Sequence, residues 1–467
     1  MPVKVKRPTH GLHVPIGEPW PLRVVTQHAH PQSSAPMTLT VNSFFAGIGG
    51  FDLAFERAGF AVSFQCEKDK FCQSVLRRHW PDVPLQPDIS ALTAADIPPG
   101  RVWTAGFPCQ DLSMARTPHG HRHGLKGTQS GLFFHLLELM SVHRPEVVLI
   151  ENVAGLLNSH VGEDFKTLLV ELTTLGYGVA WRVLNARYFG APQSRPRVFI
   201  CAWHRSPERA AKVLFEDARA EQPKGERAGF VTACAPTPSG AVVPQVAFCV
   251  SATSGRHTGL DWARSYVSYP RAVRRLTPLE CERLQGLPDN WTCPDASFRL
   301  PARGIDAERY HAAGNAVCVP VAEWIARRIR STLGEASSVR FGGQVSEKRL
   351  RAPAVELKEA KARCFSLSHN LLPPKWASGG LAFKDLLVDA PFATASCNPV
   401  ASKFSSVVEK RAVDRRYYIS PNAAQGIVRR VDKLGRTLFP PLNAAIRHLA
   451  SMTEQELKRD ELIVSAA

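Results

Sequence analysis

The chain has 467 residues, of which 44% are hydrophobic and 21% are charged, and its formal net charge is +17. This length holds about two to four globular domains, and the balance of residues excludes fibrous, collagen-like and wholly disordered proteins. No apolar run reaches the roughly 18 residues that cross a membrane, and residues 1–36 lack the apolar core of a signal peptide, so we expect neither membrane insertion nor secretion.

The charge and the cysteines narrow the class of protein further. Basic residues exceed acidic ones along the whole chain, and residues 332–467 alone carry a net charge of +8. Such an excess favours a polyanionic partner, most simply nucleic acid, although basic proteins without such a partner are common. The 11 cysteines include no Cys-x-x-Cys pair, which argues for a reducing compartment and against a disulfide framework or a zinc ribbon.

Strands and helices alternate along the first half of the chain. Continuous apolar runs predict strands over 40–45, 61–66, 102–107, 147–150, 177–184 and 197–201. Apolar residues at helical spacing predict helices over 51–58, 70–79, 132–142 and 163–175, and a later one over 317–329. This order predicts βαβ units and an α/β fold with a mostly parallel sheet.

Three other stretches have a different character. Residues 1–36 are rich in proline and are expected to be poorly ordered, which leaves Met37 open as the true start. Residues 205–270 mix Pro, Gly, Ser and isolated charges, as expected of a variable or recognition region. Residues 332–467 show no strong period until 409–446.

A glycine-rich loop, Phe45–Gly50, connects the first predicted strand to the first predicted helix. Glycines there permit a tight turn and a close approach of the backbone to a ligand at the helix N-terminus. Glu67 ends the second strand, where an acidic residue binds ribose hydroxyls, and Asp88 lies where a third strand could end. Together they predict a nucleoside-binding edge of a Rossmann-like sheet, with a chance glycine turn as the alternative. The loop is not the full dinucleotide fingerprint, which disfavours a nicotinamide enzyme.

Two further groups lie at the ends of predicted strands, and one more opens the next strand. Cys109, in a Pro-Cys-Gln triplet, is placed as a nucleophile, although most cysteines are inert core residues. Glu151 follows an apolar strand, so desolvation would raise its pKa and let it donate a proton, with a helix-capping acid as the alternative. Arg195 and Arg197 lie on one face and suit a phosphate or a carboxylate, or else form a surface ion-pair pattern.

The order and spacing of these motifs resemble the DNA (cytosine-5)-methyltransferase family of bacterial or bacteriophage type. The resemblance covers about residues 38–330, and two of the matching motifs lie near the end of that range. The motifs that carry it are Phe45–Gly50, Glu67, Asp88, Pro108-Cys109-Gln110, Glu151-Asn152-Val153, Gln193-Ser194-Arg195-Pro196-Arg197, Arg275–Glu280, Leu284–Pro288 and Gly314-Asn315-Ala316-Val317. It implies a Rossmann-like domain that depends on S-adenosylmethionine, with helices on both faces of the sheet.

The resemblance implies methyl transfer from S-adenosylmethionine to carbon 5 of a cytosine in DNA. The Cys109 thiolate would add to carbon 6 of the ring and make carbon 5 nucleophilic. Glu151 would contact ring nitrogen 3 and the exocyclic amine, Arg197 the carbonyl oxygen of the base, and Arg195 would orient Glu151 or a nearby phosphate. The base that removes the carbon 5 proton is not identified, and in this family it is often assigned to water.

The same resemblance assigns a cofactor pocket. The residues implied to bind the cofactor are Phe45, Gly47, Ile48, Gly50, Glu67, Lys68, Asp88, Ile89, Pro108, Asn315 and Val317. Phe45 would pack on the adenine, Glu67 would hold the ribose and Asp88 the adenine amine. Lys68 departs from the apolar or aromatic residue of many relatives, which would leave one face of the adenine less well packed.

A cytosine inside a duplex is out of reach of an enzyme, so the target base must flip out of the helix. The stretch 110–131 would close on the flipped base, and the residues implied to contact DNA there are Gln110, Ser113, Arg116, Arg122 and Lys126. No metal is expected, because the chemistry needs none. A metal cluster is a disfavoured alternative for three histidines of this stretch, His119, His121 and His123.

The implied domain organisation is discontinuous. Residues 38–204 and 309–331 would form the catalytic domain that binds S-adenosylmethionine, and residues 205–308 a small target-recognition domain. Residues 1–37 would be a poorly ordered extension. Residues 332–467 would be a basic C-terminal extension that either contacts DNA or merely packs on the rest of the protein.

Three competing functions are weighed against this interpretation. An RNA methyltransferase of the same family would carry a Cys-Phe-Thr signature, which the chain lacks. A catalytically silent relative would usually have lost one of the reactive residues, and a dehydrogenase would leave the Pro-Cys-Gln and Glu-Asn-Val motifs unexplained. We therefore expect a monomeric enzyme on double-stranded DNA, in the cytoplasm of a bacterial host. A restriction endonuclease for the same site, a prophage origin and an orphan enzyme stay open.

Overall fold

Strands and helices alternate around one large sheet, and their bounds follow the sequence pattern closely in the first half of the chain. The computed structural model describes residues 39–107, 131–216, 234–237, 240–255, 261–302, 304–335, 363–367, 375–453 and 456. The first strands are β1 (Thr40–Phe44), β2 (Ala61–Cys66), β3 (Leu85–Gln86), β4 (Val102–Ala105), β5 (Val147–Val153), β6 (Tyr177–Asn185), β7 (Gln193–Ser194) and β8 (Pro196–His204). The helices among them are α1 (Gly50–Arg57), α2 (Lys70–His79), α3 (Leu132–His143), α4 (Glu163–Thr174) and α5 (Pro207–Leu214).

The second half of the chain has shorter strands. They are β9 (Cys234–Pro236), β10 (Val242–Pro244), β11 (Ala247–Phe248), β12 (Tyr266–Ser268), β13 (Val273–Arg275), β14 (Arg363–Ser366), β15 (Gly379–Phe383) and β16 (Leu386–Ala390). The helices are α6 (Pro278–Leu284), α7 (Asp306–Asn315), α8 (Val319–Gly334), α9 (Pro421–Lys433) and α10 (Pro440–Ser451). None of the helices in the described ranges combines the length and the apolar character that a membrane span requires.

The large sheet has the strand order β14-β16-β15-β6-β8-β5-β4-β1-β2-β3. The five neighbouring strands β3, β2, β1, β4 and β5 are parallel to one another. In contrast, β8 runs antiparallel to β5, and β6 runs antiparallel to β8. Helices α1, α2, α5 and α8 pack on one face, and α3 and α4 on the other. The predicted α/β class, a Rossmann-like sheet with helices on both faces, is confirmed.

The C-terminal part of the chain adds three antiparallel strands to this sheet. β15 pairs with β6, with Leu381 opposite Ala180, and β16 and β14 follow outward. Gly380 permits this pairing, because a Cβ atom there would lie 2.2 Å from the Trp181 ring. These strands are not predicted from the sequence, because each spans at most five residues and shows too little alternation of apolar and polar residues to detect.

A second, antiparallel sheet has the order β13-β12-β10-β9, and all of its strands except β13 lie within residues 205–270, the region predicted to be variable. Helices α9 and α10 pack on it, in a core that joins Tyr266 and Val273 of the sheet to Ile427, Ile446 and Leu449. The strand β11 instead pairs with β7, which precedes β8 of the large sheet. The described residues after 362 therefore contact both sheets.

A buried carboxylate holds the first helix to the first two strands. Asp52 in α1 is fully buried and accepts hydrogen bonds from Ser43 Oγ at 3.0 Å and from Gln65 Nε2 at 2.9 Å. Ser43 lies on β1 and Gln65 on β2, so one side chain fixes the start of α1 against both strands. Burial raises the pKa of Asp52 to about 6, because the two hydrogen bonds offset the loss of water only in part.

We expect the substitution Asp52→Asn to change how stability depends on pH. A carboxyl group whose pKa rises on folding stabilises the fold while it is protonated, and that stability is lost as the pH rises through the folded value of about 6. The free energy of unfolding of the variant minus that of the unaltered protein should therefore increase by about 1 kcal/mol between about pH 5 and about pH 7. Urea unfolding at both pH values measures this difference, and a constant difference would contradict the assignment.

Candidate active site

The parallel strands end at one edge of the large sheet, and the predicted site residues follow those ends. Phe45 comes directly after β1, Glu67 directly after β2, and Phe107 two residues after β4. Glu151 lies in the last part of β5. Because the carboxyl ends of parallel strands meet at the same edge, residues from distant parts of the sequence come together there.

The loop after β1 has a backbone shape that depends on glycine. Phe45 and Gly47 have φ angles of 54° and 57°, in the left-handed region. A Cβ atom on Gly47 would meet nothing within 4 Å, so open space lies beside the loop at this point. Gly50, in contrast, has no free space beside it, because a Cβ atom there would lie 2.8 Å from the carbonyl oxygen of Val317. The segment around Val317 therefore packs directly on the loop, and only glycine fits between them.

Glu67 is tied to the backbone of the same loop. Its Oε2 accepts a hydrogen bond from the Gly47 N–H at 2.7 Å, and its Oε1 accepts one from the Asp69 N–H at 2.7 Å. Burial raises the pKa of Glu67, and these two hydrogen bonds oppose the rise. Each carboxylate oxygen has a further lone pair, so Glu67 can also accept a hydrogen bond from a hydroxyl of a ligand.

Asp88 and Lys68 form an ion pair further out along this edge. Asp88 Oδ1 accepts hydrogen bonds from the Ser90 N–H at 3.0 Å and the Ser90 hydroxyl at 2.6 Å. The hydroxyl bond is the main reason why the pKa of Asp88 is lowered. Lys68 Nζ lies 3.4 Å from Asp88 Oδ2, and the lysine side chain is 75% exposed. Lys68 thus neutralises a carboxylate in an exposed position, while the neighbouring Ile89 is buried in the core.

Two segments of the second half of the chain are fastened to the glycine loop. Ile48 is buried, and its carbonyl oxygen accepts a hydrogen bond from Trp291 Nε1 at 2.7 Å. Asn315 ends α7, and its exposed side chain places Nδ2 3.1 Å from His311 Nε2. Because Val317 is buried under the loop, Asn315 is held close to the same edge.

Glu151 and Arg197 form a buried ion pair. Arg197 Nε lies 3.1 Å from Glu151 Oε1, and the side chains are 17% and 11% exposed, respectively. Burial raises the pKa of Glu151, and the charges of Arg197 and then Arg195 oppose the rise. A carboxyl group whose pKa is raised by burial and lowered by neighbouring positive charges is suited to take up or release a proton during a reaction.

Asn152 connects the strand that carries Glu151 to Phe107, the residue that ends the described segment after β4. Its Nδ2 donates a hydrogen bond to the carbonyl oxygen of Phe107 at 3.0 Å, and its Oδ1 accepts one from the Val153 N–H at 2.8 Å. Phe107 is the last described residue before Pro108 and Cys109. Phe107, two residues before Cys109 in the sequence, is therefore fixed to the strand that carries Glu151.

Arg195 has a setting different from the one expected. Its Nη1 donates to the carbonyl oxygen of Val250 at 2.8 Å, and its Nη2 to those of Gly314 and Ala316 at 3.1 and 2.7 Å. These carbonyl groups engage a side chain that is only 2% exposed, so the expected contact with Glu151 is not formed. Arg195 acts on Glu151 through its charge, and its hydrogen bonds join its own strand region to two later backbone segments.

One group beside the ion pair escaped the sequence analysis. Cys249 Sγ lies 3.3 Å from Arg195 Nη1 and 3.8 Å from Arg197 Nη2, so a second thiol adjoins the two arginines. Cys249 directly follows the two-residue strand β11 in a stretch without hydrophobic period. No sequence pattern separates it from a cysteine that merely fills space.

Several predicted residues lie outside the described residues. They are Pro108, Cys109, Gln110, Ser113, Arg116, Arg122 and Lys126, together with His119, His121 and His123. Among the residues that the structure does describe, no group of three or more His, Cys, Asp and Glu side chains is arranged to hold a metal ion.

Comparison with known proteins agrees with this arrangement. The sequence profile of the C-5 cytosine-specific DNA methylases matches residues 39–238 and 241–331, which together are more than half of the chain. The chain belongs to this methylase family. The Type II methyltransferase M.NgoBI of Neisseria gonorrhoeae is 32% identical to this methylase, in an alignment that covers 64% of this chain and 96% of that protein. The Type II methyltransferase M.HpaII of Haemophilus parainfluenzae is 30% identical, in an alignment that covers 63% of this chain and 90% of that protein.

Two solved structures also align with this methylase. The Entamoeba histolytica methyltransferase EhMeth is 16% identical with a TM-score of 0.47, and the alignment covers 64% of this chain and 100% of that one. The S. pombe Dnmt2 methyltransferase is 18% identical with a TM-score of 0.42, with coverage of 64% and 100%.

The resemblance identified from the sequence is thereby confirmed. The protein is a DNA cytosine-5 methyltransferase, and S-adenosylmethionine is its methyl donor. The described edge fits that donor. Open space lies beside the backbone of Gly47, and the carboxylates of Glu67 and Asp88 are acceptors of the kind that ribose hydroxyls and an adenine amine require.

Gly50→Ala should destabilise the methylase and weaken its binding of S-adenosylmethionine. The added Cβ atom would lie 2.8 Å from the Val317 carbonyl oxygen, so the glycine loop and the α8 segment must move apart. We expect a loss of about 1–3 kcal/mol in the free energy of unfolding, and a higher Kd for the donor in calorimetry. Gly334→Ala is the matched control, since a Cβ atom there meets nothing within 4 Å. Equal effects of the two substitutions would contradict the close contact at Gly50.

Arg195→Met and Arg197→Met should differ in the pH dependence of stability. The first removes donors from neutral carbonyl groups together with the smaller of the two charges that oppose the rise of the Glu151 pKa, so its loss of about 3 kcal/mol or more should change only weakly between about pH 5 and about pH 8. The second removes the partner of Glu151, which raises the folded pKa of that carboxyl further. Its stability loss should therefore grow as the pH rises and Glu151 ionises. Urea unfolding at both pH values separates the roles, and parallel losses in the two variants would contradict them.

Proposed function

We propose that this methylase modifies one cytosine within a specific sequence of duplex DNA, after base flipping and through a covalent adduct with Cys109. The observation that carries the proposal is the buried Glu151–Arg197 pair, whose strand also holds the Phe107 carbonyl through Asn152, two residues before Cys109 in the sequence. A nucleophile, a proton donor and a cation then converge on one base, as addition to an aromatic ring requires.

The reaction divides into addition, methyl transfer and elimination. The Cys109 thiolate adds to carbon 6 of the cytosine, and the electron pair of the ring moves to carbon 5. Glu151 donates to ring nitrogen 3 as charge develops there, and burial favours the protonated form that does so. Arg197 contacts the carbonyl oxygen of the base while its Nε holds Glu151. Once carbon 5 carries the methyl group, a base, for which water is the candidate, removes the carbon 5 proton. The double bond between carbons 5 and 6 then re-forms, the Cys109 thiolate leaves, and the proton on ring nitrogen 3 returns to Glu151.

The cofactor contacts follow from the same edge of the sheet. S-adenosylmethionine supplies an electrophilic methyl group on a sulfonium centre. Phe45 packs on the adenine, Glu67 accepts hydrogen bonds from the ribose, and Asp88, which is paired with Lys68, accepts one from the adenine amine. The pocket is completed by Gly47, Ile48, Gly50, Ile89, Pro108, Asn315 and Val317.

The proposed surroundings of the enzyme are those of its relatives. We propose that it is a monomer that acts on DNA in the cytoplasm of a bacterial cell, together with a restriction endonuclease that cuts the same sequence. The support is its similarity to Type II methyltransferases of bacteria. The residues proposed to contact DNA near the flipped base are Gln110, Ser113, Arg116, Arg122 and Lys126.

The decisive experiment is base-resolution cytosine methylation mapping of DNA from cells that express the full chain. We expect one short sequence to be methylated at carbon 5 by the unaltered chain and not by Cys109→Ser. Glu151→Gln should lower the rate by about a hundredfold or more, since the amide cannot donate a proton to the ring.

Cys364→Ser is the matched control for the cysteine substitution. Cys364 is exposed on β14, remote in the sheet order from the parallel strands that form the site, so its loss should leave methylation unchanged. Absence of methylation by the unaltered chain, with folding confirmed by circular dichroism, would overturn the proposed function. Methylation that persists in Cys109→Ser would overturn the covalent mechanism.

A further inference from the structure

The C-terminal segment, defined here as residues 403–452, is an integral part of the small domain. Helices α9 and α10 close one face of the four-stranded sheet, where Ile427 and Ile446 pack with Tyr266 and Val273. The Ile419 N–H donates to the Val273 carbonyl oxygen at 2.8 Å, which extends the backbone pairing of β13. An apolar core shared in this way fixes the position of the segment on the sheet.

Polar contacts fix the same segment at two further points. Asp261 is buried and accepts both Arg430 Nε at 3.0 Å and Arg430 Nη2 at 2.9 Å. Glu409 accepts a hydrogen bond from the Thr277 hydroxyl at 2.5 Å, at the start of α6. Arg430 and Glu409 are thus committed to the fold of the small domain.

The C-terminal segment is also connected to the active-site edge. Gly314 lies so close to the stretch 250–255 that a Cβ atom there would be 2.1 Å from the Ala252 backbone nitrogen. At the other end of this stretch, Arg275 donates to the Gly255 carbonyl oxygen at 2.6 Å and to the Arg416 carbonyl oxygen at 3.0 Å. The stretch 250–255 therefore runs from Arg195 and the catalytic edge to the C-terminal segment.

This segment has a large excess of positive charge. Residues 403–436 contain nine Lys and Arg side chains and three carboxylates. Arg416 and Arg430 pair with buried or half-buried acids of the small domain. Among the others, Lys410, Arg411, Arg429 and Lys433 are exposed and form no ion pair within the described part of the chain. Arg429 and Lys433 are four residues apart on α9, so they share one face of the helix.

We propose that residues 403–436 extend the DNA-binding surface of the enzyme, and that these four side chains bind phosphates of the duplex that flanks the methylated site. The inference rests on the proposed function, because it takes the small domain to face DNA. Two adjacent exposed cations, Lys410 and Arg411, and two on one face of α9 belong to a segment that the stretch 250–255 connects to Arg195. Exposed cations of this kind suit a regularly charged polyanion such as duplex DNA.

The test uses two double variants of the full chain, Lys410→Gln/Arg411→Gln and Arg429→Gln/Lys433→Gln. Lys212→Gln/Arg327→Gln is the matched control, because both residues are exposed and also carry two positive charges. Arg327 lies in the last part of α8, near the point where Arg330 contacts the end of α1, away from the carboxyl ends of the strands. Thermal unfolding should be unchanged in all three variants, since the altered side chains lie at the surface.

The measured quantity is the Kd for fluorescein-labelled duplexes over a range of salt concentrations. One duplex has about 36 base pairs with the mapped site at its centre, and the other has about 12, only roughly 40 Å in length. On the long duplex each double variant should lower the slope of log K against log salt by about 1.8, or about 0.9 for each phosphate that is no longer neutralised. On the short duplex, which lacks the flanks, the double variants should bind like the control.

The outcomes separate this inference from the proposed function. If the double variants and the control have equal slopes of log K against log salt on the long duplex, the proposed surface is overturned. It is also overturned if the slope falls by the same amount with duplex RNA of the same length. Phosphate contacts do not depend on the base sequence, so a long duplex of mixed sequence reports them even if no methylated site is found. Failure of methylation with an intact slope difference would therefore overturn only the proposed function.

Discussion

The arrangement of the active edge depends on one buried guanidinium group. Arg195 donates to backbone carbonyl oxygens of Val250, Gly314 and Ala316, which come from two segments far along the chain. A lysine ammonium could not replace it, because only the planar guanidinium holds several donors at fixed angles. The partners are neutral, so the positive charge of Arg195 is not cancelled, and it acts on Glu151 nearby. One side chain thus joins the sheet to two later segments of the chain and also adds to the positive charge that acts on Glu151.

Asp52 and Glu151, two buried carboxylates, show how the charge of the neighbouring group affects the pKa of an acidic side chain. Asp52 accepts hydrogen bonds from the neutral groups of Ser43 and Gln65, and burial raises its pKa to about 6. Glu151 is also buried, but it lies against the Arg197 guanidinium, whose charge opposes the effect of burial. Asp52 serves to hold a helix in place, whereas the balance at Glu151 can shift when a ligand alters its surroundings.

The parallel half of the sheet was predictable because its signal is local. A run such as Val147–Ile150 identifies a buried strand by itself, and the polar residue that follows must lie at the ligand edge. The partners of Arg195 were not predictable, since backbone carbonyl groups carry no residue identity and lie 55 to 121 positions away. Cys249 gave no signal for the same reason, because its importance comes from what surrounds it in space.

The pairing of β6 with β15 also has a consequence for the order in which the protein is made. β6 meets its outer neighbour only after about 200 more residues have been synthesised, which takes about 10–40 s at ribosomal speeds. During this interval β6 presents an unpaired backbone edge with the Trp181 ring beside it. Open apolar edges are where nascent chains associate wrongly. Synthesis of the last quarter of the chain supplies β15, which covers this edge of β6. The period in which the growing methylase depends most on chaperones therefore ends at that point.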